Sequence, residues 1–73
     1  MATHTWTVTA GTYIGMGRRS TPRDAWTAAH DTAARRYRHG LTDPLELTVD
    51  TVAVTVNPQT LDDTVRTQIA ATQ

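Results

Sequence analysis

The sequence predicts a small α+β fold: a three-stranded, mainly antiparallel sheet with two helices packed on one face, in the order β-hairpin, helix, long strand, helix. Three observations carry this. Apolar and polar residues alternate from His4 to Met16 and again from Leu45 to Val56, the period of a half-buried strand. Between them, Thr21 to Gly40 repeats at helical spacing with a start and a stop signal. A shorter helical stripe closes the chain between Thr60 and Thr72. The 73 residues make one domain, 1–73.

In the first strand region, His4, Trp6, Val8, Ala10, Ile14 and Met16 share one parity, and Thr5, Thr7, Thr9 and Tyr13 share the other. A straight strand over this length would span about 43 Å at about 3.3 Å per residue, long for so short a chain. A hairpin turning near Ala10–Thr12 is more compact. A three-residue loop with Gly11 at its turn sets Val8 opposite Ile14 and Trp6 opposite Met16. A single bent strand with a bulge at Gly11 is the alternative. Residues 15–20, GMGRRS, then connect to the helix.

Thr21 supplies an N-cap side chain, Pro22 suits the first helical position, and Asp24 completes a near capping-box pattern. Gly40 marks the stop, after a basic last turn of Arg35, Arg36, Arg38 and His39 that complements the helix dipole. Trp26, Ala29, His30, Ala33 and Tyr37 form the buried face. Asp24, Asp31, Arg35 and Arg38 form the wet one, with Asp31 and Arg35 at ion-pair spacing. Alanines between two aromatics permit close approach to a sheet.

Leu41–Pro44 is a short loop. In Leu45–Val56 the alternation slips once: Leu45, Leu47 and Val49 have one parity, Val52, Val54 and Val56 the other. A bulge at Asp50–Thr51 or a two-residue hairpin there would restore one face. Asp-Thr lacks the glycine that primed turns want at the second position, so one long bulged strand is the preferred reading. Asn57-Pro58 ends it. In the closing helix, Thr60 and Asp63 repeat the cap pattern. Leu61, Val65 and Ile69 form a narrow stripe, and Asp62 has pairing distance to Arg66. A helix this short must dock to be stable. The order of elements loosely resembles that of several small α+β regulators, HicB-type antitoxins among them. The shared features are generic, and no motif assigns a family.

Composition excludes more than it identifies. Cysteine is absent, so neither a disulfide nor a thiolate zinc site staples the chain. No apolar run reaches membrane-span length and the start lacks a signal-peptide core, which makes the cytoplasm the expected location. Charge is split. Residues 1–39 hold six arginines against two aspartates, a net +4, while residues 40–73 hold one arginine against five acids, a net −4. Lysine is absent, a bias that a GC-rich genome produces by itself.

No catalytic or metal-ligating set can be assembled. His4, His30 and His39 lack ligand spacing, and no nucleophile has a base at a suggestive distance. Gly11, Gly15 and Gly17 precede a helix start, as in phosphate cradles. They match neither the dinucleotide nor the Walker pattern, so a flexible loop is the simpler reading. Arg18, Arg19, Arg23, Arg35, Arg36 and Arg38 are the candidate contacts for an anion or nucleic acid. Against that role, the loop arginines and the Arg35–Arg38 cluster lie at opposite ends of the helix, about 25 Å apart by helical rise.

The sequence therefore predicts a non-catalytic protein-interaction or regulatory module without cofactor, metal or small-molecule ligand. An accessory role for a mobile element or a larger complex fits its size and composition. A nucleic-acid-binding regulator is the alternative. A chain this short buries only about 60% of its unfolded surface, so self-association is expected. A homodimer would use Leu45, Leu47, Val52 and Val54 as candidate interface residues.

Overall fold

The computed structural model describes residues 3–72 and contains six elements: β1 (His4–Thr9), β2 (Tyr13–Arg19), α1 (Pro22–Arg38), β3 (Leu45–Val49), β4 (Val52–Val56) and α2 (Leu61–Ala71). All neighbouring strands are antiparallel, and their spatial order is β2-β1-β3-β4. Both helices pack on one face, α1 across β1, β2 and β3, and α2 beside α1 and over β4. The α+β class and the helical layer are thus as predicted. The sheet has four strands rather than three, and the chain reads hairpin, helix, hairpin, helix.

The extra strand comes from the turn at Asp50–Thr51. Asp50 takes a left-handed conformation, φ +55°, and Val49 pairs with Val52 across a two-residue loop. Aspartate tolerates this region better than most residues because its short carboxylate can bond locally. Here the carboxylate reaches β1. Oδ2 lies 2.6 Å from His4 Nδ1, and Oδ1 accepts from the Thr5 amide at 3.3 Å. The Asp50 amide in turn donates to Thr5 O at 2.9 Å. The expected single bulged strand is therefore a hairpin, stitched to the neighbouring strand by Asp50, the first residue of its turn.

The first hairpin turns through residues 10–12 as predicted, with Gly11 at φ +85°. Its register differs. Val8 faces Gly15 and Trp6 faces Gly17, because a bulge leaves Ile14 as an extra residue on β2. The slip sends Met16 to the outer face, where it is 62% exposed, instead of into the core. The Trp6 indole and the Thr32 side chain on α1 are the reason. A Cβ at Gly17 would sit 2.8 Å from Trp6 Nε1, and one at Gly15 would sit 2.9 Å from Thr32 Cγ2. Only glycines on the inner face leave room for the ring and for the helix above it.

The core lies between the sheet and the helices. Ala25, Ala29 and Ala33 form a fully buried ridge along α1, beside Trp26. Facing them are Trp6 and Val8 from β1, Leu45, Leu47 and Val49 from β3, and Val56 from β4, with Leu61 and Val65 from α2. Small residues at four-residue spacing let the helix lie close to the strands. Ile14, Tyr37, Val54 and Ile69 border this core half-buried. Val52 points to the helical side but stands 46% exposed, because α2 covers β4 only in part.

The caps differ between the helices. Thr21 Oγ1 accepts from the Asp24 amide at 3.1 Å, and Pro22 begins α1, as expected. Gly40, at φ +105°, follows its end. At α2, Thr60 makes no side-chain cap bond to the helix. Asn57 takes over: its Oδ1 accepts from the Gln59 and Thr60 amides at 2.9 and 3.0 Å. Thr60 Oγ1 instead accepts from the Asn57 amide at 3.0 Å. The turn thus starts at Asn57-Pro58, one residue pair that both ends the strand and opens the helix.

Candidate functional site

Three surfaces can meet another molecule: the outer sheet face, the free edge of β4 and the groove between the helices. The outer face follows from the register. Thr5, Thr7, Thr9, Met16, Arg18, Glu46, Thr48, Ala53 and Thr55 all point away from the helices. The two central strands thus present threonines and Glu46 there. Single-strand nucleic-acid platforms instead stack bases on aromatics at such positions. Tyr13, 71% exposed, is an outer-face aromatic but lies on the flanking strand β2.

The two sheet edges are unlike. Strand β2 carries the bulge, two glycines and Arg18 and Arg19, devices that discourage strand pairing. Strand β4 reads VAVTV and has no charge, proline or glycine. Of the candidate interface residues, Leu45 and Leu47 lie on the interior strand β3 and are fully buried in the chain's own core. Val52 and Val54 lie on the edge strand, exposed and half-buried respectively. The accessible part of the expected interface is therefore β4.

The candidate anion contacts do not gather. Arg18 and Arg19 end β2, and Arg23 lies in the first turn of α1. Arg35, Arg36 and Arg38 occupy its last turn, about 18–23 Å from Arg23 along the helix at about 1.5 Å per residue. Gly11 lies in the β1–β2 turn, where it was expected, whereas Gly15 and Gly17, expected in a flexible loop, lie within β2.

The groove runs between α1 and α2, with a volume of about 510 Å³. Arg23, Thr27 and His30 line it from α1, and Asp62, Val65, Arg66 and Ile69 line it from α2. His30 is half-buried and ties the helices together, its Nε2 lying 2.5 Å from Asp62 Oδ1. Its Nδ1 lies 3.4 Å from Asp31 Oδ1. The expected helix-surface pairs are thus rearranged. Asp31 turns to His30, Asp62 bridges to the other helix, and Arg66 meets Asp63 at 3.6 Å. Spacing along one helix could not reveal the His30–Asp62 bond, which joins residues 32 positions apart.

One other polar group is tuned by the fold. Tyr37 Oη donates towards Asp43 O at 3.1 Å and Val56 O at 3.3 Å, anchoring the end of α1 to the following loop and to β4. Burial pushes its phenol above the ordinary value. The nearby Leu45 backbone bond opposes this and the Asp43 charge adds to it. Its role is structural. Among the described residues, no three His, Asp or Glu side chains gather to hold a metal, and no helix is long and apolar enough to cross a membrane. Compared with known proteins, the chain matches no family model, no curated protein and no solved structure.

Proposed function

We propose that this chain is a non-catalytic protein-interaction module that pairs with a second copy of itself through β4. The observation that carries the reading is the contrast between the edges: β2 is guarded by a bulge, glycines and arginines, whereas β4 offers five uncharged residues and an open row of backbone donors and acceptors. Antiparallel pairing of two β4 strands about a two-fold axis satisfies those groups and joins two four-stranded sheets into one of eight. It also sets Val52, exposed on the helical side, opposite Val56 of the second copy and brings the two Val54 side chains together at the axis, extending the apolar layer across it. The zero net charge removes the general repulsion between copies.

Sedimentation equilibrium at tens of micromolar tests the reading. The wild type is expected at twice the 8.0 kDa chain mass. Thr55→Lys places a charge on the outer face of the edge strand and is expected to return the protein to one chain mass with its fold intact. A wild type at one chain mass, independent of concentration and salt, overturns the proposal.

A further inference from the structure

We infer that the groove between α1 and α2 binds a small amphipathic carboxylate: an acyl or aryl body carrying one terminal carboxylate. The groove's volume of about 510 Å³ falls within the roughly 300–1,000 Å³ typical of small-molecule sites. Its lining divides by chemistry. Ile69, half-buried, supplies apolar surface over the buried Val65. Arg23 and Arg66 supply guanidinium groups from opposite walls.

The arginines are available. Among the described residues Arg23 makes no ion pair, and Arg66 meets Asp63 only at 3.6 Å with both side chains largely exposed. A contact of that kind exchanges readily for a better acceptor. The groove's own carboxylate, Asp62, is held by a bond to His30 at 2.5 Å and stands against two guanidiniums, so the lining keeps a net positive charge. That bond also fixes the spacing of the two walls, so the arginines flank a site that does not have to be assembled.

This combination selects one ligand class. An inorganic anion would satisfy the guanidiniums and leave Ile69 wet. An alkylamine would cover the apolar surface and bring a positive charge into a lining whose two guanidiniums outnumber its one carboxylate. A carboxylate on an apolar body uses both, taking charge-assisted hydrogen bonds at one end and burying hydrocarbon at the other. The site lies between the helices, away from the β4 edge, and operates whether or not two copies pair.

Titration of the isotope-labelled full chain by NMR, using octanoate as the probe, tests the inference. Octanoate is expected to shift the backbone amides of Thr27, Val65, Arg66 and Ile69 saturably, and to bind more tightly than octylamine or inorganic phosphate. Each guanidinium removed by Arg23→Gln or Arg66→Gln is expected to weaken binding by roughly tenfold, the usual scale for a hydrogen bond to a charged group. Both residues are exposed, so melting temperatures should stay near wild type and separate lost binding from lost folding. Saturable octanoate binding that the double variant keeps at wild-type strength overturns the site. So does equal binding of phosphate or octylamine, or the absence of saturable shifts up to the solubility limit of octanoate.

Discussion

Gly17 shows how a single missing atom organises one side of the molecule. Its bare Cα seats the edge of the Trp6 indole, whose Nε1 is buried without a hydrogen-bond partner among the described residues. Gly17→Ala would force the ring or the strand to move, and overpacking of this kind costs about 1–3 kcal/mol. Chemical denaturation is expected to show that loss, whereas the same substitution at Gly11, in open space but at φ +85°, acts through backbone strain alone. Tyr37 gives a residue-scale pH dependence. Its folded pKa is raised, so the folded state holds the phenolic proton more tightly than the unfolded chain does. The contribution is therefore fully present below the unfolded value of about 10 and is lost as pH rises beyond it. Unfolding free energy measured from pH 8 upward is expected to fall above about pH 10. In Tyr37→Phe this part of the decline should disappear, on top of a loss at all pH values from the two missing contacts to Asp43 and Val56.

The elements are separated by polar side chains that bond across their ends. Asn57 ends β4 and caps the turn into α2, and Asp50 makes the β3–β4 turn while holding β1. Asn57→Ala is expected to lose about 0.5–2 kcal/mol, the range for a helix cap, and Thr60→Ala distinctly less. Thermal melts of the two variants would check the order; an equal or larger loss at Thr60 would return the cap to that residue. The His30–Asp62 bond works between elements, holding α2 against α1 at the level where the groove begins. An eleven-residue helix needs such an anchor, since isolated helices shorter than about 12–15 residues are marginal in water.

At the scale of the whole molecule, the charge split becomes a spatial arrangement with no single basic face. The arginines stand at the two ends of α1, and the central outer strands offer threonine rather than aromatic surface. Duplex DNA is therefore expected to show no measurable affinity near physiological salt. If binding does occur through the last turn of α1, replacing Arg35, Arg36 and Arg38 by Gln would flatten the slope of log affinity against log salt by nearly three units. Submicromolar wild-type binding that weakens steeply with salt would promote the nucleic-acid reading over self-pairing.

Local pattern by itself determined a good deal of this protein. The Thr21 cap, Pro22, the alanine ridge and Gly40 are properties of consecutive residues, and α1 forms where they place it. The α+β class and the three-residue turn around Gly11 followed likewise from periodicity and one glycine. Tertiary structure decided the rest, because the deciding partner was distant in the chain. Period-two alternation put Met16 on the face of Trp6 and Val8, but Trp6 across the hairpin leaves room only for Gly17 and Thr32 on α1 only for Gly15, so β2 bulges and Met16 turns out. Turn preference argued against a hairpin at Asp50–Thr51, but His4 and the Thr5 amide, more than forty positions away, hold the carboxylate that stabilises it. The interhelical groove belongs to the same class. Arg23 and Arg66 are unremarkable within their own helices and become neighbours only when the His30–Asp62 bond and the shared core bring α2 against α1.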